Sequence, residues 1–224
     1  MHFIMAKTKL FTIFMAASMA LSGAGITANA QKVSQAAKEM ATEKVSGDAT
    51  KEAKVLKKEG WKVAPGALPL ERQLERAYGL QYEFNEEGQP KYIFGEGMST
   101  AESYDVAKMQ ATEMAKQNIA SKIESELTAE IKTTLSNEQI SSEEATSLIE
   151  ILQGSRTVIT QSMGTLSPIT EVYRLKKKNT EVLLRVAYNS EIIKKKAKEI
   201  VRKKNKERGE KIHQNFEGYE LGNH

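Results

Sequence analysis

The sequence predicts an α+β domain with a helical extension on its N-terminal side. Two capping boxes, Ser99-x-x-Glu102 and Ser141-x-x-Glu144, each open a run of apolar residues at helical spacing. After Gly154 the apolar period shortens to two, and two short strands follow around Lys177-Lys178-Asn179-Thr180. The strands gather late in the chain instead of alternating with helices, so no parallel β-α-β unit is expected.

Taken in order, residues 1–30 read as a signal peptide. Lys7 and Lys9 precede a mostly apolar run from Leu10 to Leu21, and Ala28-Asn29-Ala30 offers a small-x-small cleavage site. The run falls short of the ~20 residues that span a bilayer, so cleavage before Gln31 is expected. Residues 31–90 read as an N-terminal extension with helices around Val33–Lys44 and Asp48–Lys58, the second capped by Asp48 and closed by Gly60. Pro69 opens another helix carrying Leu70, Leu74, Ala77 and Tyr78, which Gly79 either caps or lies within.

Residues 91–204 form the expected core. Lys91–Phe94 reads as a strand, Gly95-Glu96-Gly97 as a bend, and Ser99 as the cap of a long helix reaching Leu127 or Ile131. The first half of that helix uses Ala107, Ala111 and Ala115, small enough to lie close on a sheet. A shorter helix carries Leu148, Ile149 and Leu152 and stops at Gly154. Val158–Met163 and Ile169–Leu175 read as strand, interrupted at Leu166-Ser167-Pro168, with Asn179 taking the turn. Val182–Tyr188 is apolar on both faces, which predicts a central strand. Ser190 caps a last helix, and residues 205–224 form a polar tail.

Catalytic chemistry finds little to work with. The chain has 0 cysteines, which removes disulfides, thiolate catalysis and a cysteine-linked lipid. After residue 30 its histidines are His213 and His224, and no H-x-x-x-H, G-x-S-x-G or S-x-x-K occurs. Gly95-Glu96-Gly97 lacks the third glycine of a dinucleotide fingerprint, with Thr100 in its place and a carboxylate where a pyrophosphate would sit. No catalytic, cofactor-binding or metal-binding residue is expected, nor a small-molecule substrate, and the protein reads as a non-enzyme.

Charge is more informative. The formal charge is +4 overall and +2 once Lys7 and Lys9 leave with the signal. Residues 101–150 are acidic, whereas the last helix is basic. A candidate basic interaction surface comprises Lys194, Lys195, Lys198, Arg202 and Lys203, with Lys176, Lys177 and Lys178 at the hairpin tip. Such runs serve as a solvated face, as one side of an acidic–basic contact within or between molecules, or as a surface for anionic lipid or glycan. Nucleic acid is not an expected partner, because residues 191–212 hold no aromatic to stack a base.

YIFGEGMS leading into AESYDVAKMQATEMAKQNIASKIES, and VYRLKKKNTEVLLRVAYNSEIIKKKAKE farther on, resemble the bacterial twenty-kilodalton-lipoprotein family. The resemblance covers about Lys91–Lys203. It implies a small antiparallel sheet with the long helix across one face, in a β-α-β-β-α core. It also implies a non-enzymatic envelope protein of gram-negative bacteria, without this family's lipid-anchor cysteine. The expectation is an exported protein at the periplasm or outer-membrane periphery, or secreted, that acts as a structural or adaptor module through a protein partner or self-association. The alternative is a peripheral binder of anionic membrane or glycan through the basic last helix.

Overall fold

The computed structural model describes residues 46–207. The expected signal, the expected helix at Val33–Lys44 and the tail beyond residue 207 lie outside them. Helix α1 (46–58) and α2 (Leu70–Gln81) precede β1 (Tyr92–Ala101). Then come α3 (Tyr104–Ser136), α4 (Ser142–Gln153) and α5 (Arg156–Ser162), followed by β2 (Thr170–Lys176), β3 (Asn179–Asn189) and α6 (Ser190–Glu207). The sheet is antiparallel with strand order β1-β3-β2. The protein is of the α+β class, with a long helix packed against a small sheet.

β3 is central, as its two apolar faces require. Val182, Leu184 and Val186 point into a core with Ala111, Ala115, Ile119, Ile123 and Ile193. Leu183 points the other way and flanks a second core of Ala53, Leu56, Trp61, Leu70, Leu74 and Val172. Helices α1 and α2 therefore cover the second face of the sheet. Gly60 closes α1 at φ +85°, with Trp61 N–H donating to Leu56 O and Gly60 N–H to Lys57 O. That left-handed closing turn sends the chain back so that Trp61 enters the second core.

The G-x-G stretch is not a bend. β1 runs straight through it to Ala101, and the helix cap is Ser103, whose side chain accepts from Val106 N–H. Ser99 instead donates to Gln110 Oε1 at 2.5 Å. The glycines sit where α3 touches the strand. A Cβ on Gly97 would lie 1.8 Å from Ala111 O, and one on Gly95 would lie 2.0 Å from Ala115 O. The small residues of α3 and the two glycines of β1 are halves of one contact, backbone on backbone.

α3 crosses the sheet obliquely. Its first turn is over β2, where Tyr104 packs edge-on to Tyr173 at 5.5 Å and donates to Glu171. Its middle lies on β1, and Lys122 reaches the outer edge of β1 to donate to Phe94 O at 2.8 Å.

Four other local expectations are corrected. Val158–Met163 is helical, not strand, because α5 buries Ile159 and Thr160, and Arg156 pairs with Glu124 of α3. Packing there overrides the β-branched Thr157-Val158-Ile159-Thr160 run. α3 runs on to Ser136 because Ile131 and Thr134 are still buried. The hairpin places Lys177, not Asn179, at positive φ (+59°). Asn189 caps α6 by accepting from Ile192 N–H, which frees Ser190 Oγ to donate to Pro90 O at 2.6 Å.

Candidate functional site

The two edges of the sheet are treated differently. In an antiparallel ladder alternate residues turn their N–H and C=O toward one neighbour or the other. On β2 the outward residues are Glu171, Tyr173 and Leu175, since Tyr173 bonds to Lys62 and Glu171 to Gln73 on the side away from β3, while Thr170, Val172 and Arg174 face β3. Lys62 closes this edge through bonds of 2.8 Å each way with Tyr173. Buried Gln73 completes it by accepting Glu171 N–H at 2.8 Å.

On β1 the outward residues are Tyr92, Phe94, Glu96, Met98 and Thr100. Phe94 O is taken by Lys122. Among the described residues, the outward N–H and C=O of Glu96, Met98 and Thr100 have no protein partner. Unpaired strand groups of this kind are a template for another strand. Met98 is 42% exposed on one side of this edge, and Met114 of α3 is 48% exposed on the other. The α3 turn that carries Met114 lies over Gly97, so the two methionines stand at the same level of the strand. Above the edge the surface dips into a depression of about 400 Å³ lined by Glu96, Met114, Gln117, Asn118 and Ser121, with Arg156, Thr160 and Gln161 on its far side.

Beneath β1 the second face holds a buried ion cluster. Arg185 donates to Glu52 of α1 at 2.6 Å and to Glu96 of β1. Tyr78 of α2 donates to the other Glu52 oxygen at 2.7 Å. Burial opposes the Arg185 charge, but the two carboxylates outweigh it and raise its pKa. Burial and Glu52 together push the Tyr78 phenol up. The cluster ties both N-terminal helices to the strand that carries the open edge.

The predicted basic residues divide into two groups. Lys176–Lys178 lie where β3 begins, while α6 leaves from the other end of this eleven-residue strand, roughly 33 Å away at strand spacing. Lys194 and Lys198 turn inward to Glu126 and Glu130 of α3, at 2.8 and 3.2 Å. The acidic and basic helices thus meet within one molecule. Lys195, Arg202 and Lys203 remain on the exposed side of α6, Lys203 paired with Glu207 at 4.0 Å. Lys177 and Lys178 are exposed at the turn.

Lys176 works inside the fold. With Arg174 it holds the buried Glu181 carboxylate, at 2.9 and 2.7 Å, and Arg174 also stacks 4.3 Å over Trp61. Burial disfavours the Glu181 charge, yet the bonds from Lys176 and Arg174 win and hold its pKa below the usual carboxylate value. A lowered folded pKa adds stability that is present above pH ~4.3 and lost as pH falls through the folded value. Glu181→Gln should therefore cost about 1–2 kcal/mol at pH 7. In urea titrations from pH 7 to pH 2.5 the gap to the parent should shrink toward zero; a constant gap would remove Glu181 from the acid response.

Among the described residues no helix is long and apolar enough to cross a membrane, and no group of three His, Asp or Glu side chains is placed to hold a metal ion. Sequence reasoning passed over the open edge, because it ended β1 at Phe94. The available signal was a pair of glycines inside a strand, which marks close backbone approach. No family model, curated protein or solved structure matches this chain.

Proposed function

We propose that the protein is an exported, non-enzymatic adaptor of the bacterial envelope that holds a partner protein on the β1 edge of its sheet. One observation carries this reading: the chain closes the β2 edge with Lys62 and Gln73, and among the described residues nothing pairs with the β1 edge from Glu96 to Thr100 beneath α3. Folded proteins normally cover or blunt such edges, and strand addition is a common mode of peptide capture. Export rests on the first thirty residues and predicts a mature N-terminus at Gln31.

Photoreactive residues placed singly at positions 114, 178 and 195 in the producing cell would test it. Position 114 should give a discrete adduct and the mature chain should begin at Gln31. Adducts from 178 or 195 with none from 114 would overturn the edge as the contact, and an uncleaved cytoplasmic chain would overturn export.

The basic face of α6 is a weaker candidate, because Lys194 and Lys198 are engaged with α3. Lys195 and Lys203, exposed on α6, can supply about 1 kcal/mol each at an anionic surface. In co-sedimentation with phosphatidylserine vesicles, binding should be detectable only at low salt. Retention at physiological salt would restore the membrane reading.

A further inference from the structure

We infer that the occupant of the β1 edge is a single extended segment of another protein, neither a second copy of this chain nor its own terminal residues. The inference rests on the adaptor reading and names the kind of partner it requires.

A second copy fails sterically. Pairing β1 with its symmetry mate would set the two strands about 4.8 Å apart, and α3 lies on β1 and reaches its outer edge at Lys122. Two such helices would fall well inside the 8–10 Å that packed helices keep. Pairing β1 with the β2 edge of a neighbour fails too, because Lys62 and Gln73 already hold that edge.

The terminal residues fail on direction and composition. β1 and α6 run in opposite directions from the Tyr92–Asn189 pair, and Lys194 and Lys198 keep α6 alongside the far half of α3. α6 therefore leads away from the β1 edge. Residues 208–224 carry Gly209, Gly218 and Gly222 among mostly polar and charged residues, a composition that disfavours a strand. Residues 31–45 are rich in Ala, Lys and Glu, a composition that disfavours a strand.

A lone strand fits. Its backbone would pair with the free groups of Glu96, Met98 and Thr100, and alternate side chains would meet Met98 below and Met114 above. At the Phe94 end the Lys122 ammonium occupies the outward carbonyl and interrupts the ladder. At the Thr100 end Glu102 is exposed, without a cationic partner among the described residues. The segment is therefore extended and apolar at alternate positions, with a Lys or Arg toward the Thr100 end.

Met98→Pro tests this within the full chain. The Met98 N–H points away from β3, so proline there removes a docking donor and leaves the internal ladder intact. The variant would be combined with the photoreactive residue at position 114, and unchanged circular dichroism and melting would establish its fold. The expected result is an adduct with a different protein, mapped to an extended segment, whose yield falls tenfold or more in Met98→Pro. Met98→Thr, which keeps the N–H, should retain most of it.

A different-protein adduct indifferent to the proline would overturn strand pairing while the adaptor reading stands. An adduct of twice the chain mass, or one within the chain, would overturn the inference in favour of self-pairing. No adduct from position 114 would overturn both.

Discussion

Gly97→Ala should be among the most destabilising single substitutions in this protein, although it adds one methyl group. The new Cβ would sit 1.8 Å from Ala111 O and 2.9 Å from Ala115 N, and both are backbone atoms that no rotamer change can move aside. Relief requires α3 to lift from β1 by more than 1 Å along the line where Ala107, Ala111, Ala115 and Ile119 are buried. Overpacking usually costs 1–3 kcal/mol. Because a helix must separate from a strand, a loss of about 4 kcal/mol is expected, near the upper end for one residue. Gly95→Ala meets Ala115 O at 2.0 Å and should behave alike. Urea denaturation measures both. A loss below 1 kcal/mol at either position would show that helix and strand are not locked backbone to backbone.

Arg185→Met should cost about 3–4 kcal/mol, since removing one member of a buried ion cluster leaves the others desolvated without compensation. Arg185 is 8% exposed, and Glu52 and Glu96 both depend on it. Glu52→Gln should cost less, about 1–2 kcal/mol, because Glu96 still faces the guanidinium and the amide can still accept from Tyr78. The double variant distinguishes a cluster from separate bonds. If its loss equals the sum of the single losses, Arg185 and Glu52 do not act together. The Glu52–Arg185 bond also joins α1 to the sheet, so native-state hydrogen exchange in α1 should rise more than in α3.

The ordering of these costs was only partly legible in the sequence. The two-residue period from Ile169 onward placed the hairpin, although the same reading put a false strand at Val158–Met163, and two apolar faces placed β3 at the centre. The capping box at Ser141 was readable because both hydrogen bonds lie within four residues. The one at Ser99 was false: Ser103, four residues later, offers a competing cap once β1 extends to Ala101. Local spacing cannot decide between two caps when a strand 79 or more residues away fixes where β1 ends.

The ion cluster was hidden for the same reason. Glu52, Glu96 and Arg185 come from three distant segments, and nothing near any of them signals that it is buried. The basic surface shows the reverse limit. Sequence placed the lysines on one helix and one turn, but could not tell that Lys194, Lys198 and Lys176 are held by acids of the same molecule.

The register of β1 against β3 also bears on how the chain reaches this state. Tyr92 pairs with Asn189 and Ala101 with Thr180, 97 and 79 residues apart, so the central ladder closes a loop of about eighty to a hundred residues. Contacts of such separation demand the loop-closure entropy before they return any stabilisation, and domains dominated by them fold in milliseconds to seconds. Helices α3, α4 and α5 can form early within that loop, whereas β1 must wait for β3. During the wait both of its edges are open. A chain interrupted before Asn189 should therefore aggregate through β1, and the last strand, although central in space, decides when the inner edge of the first is closed.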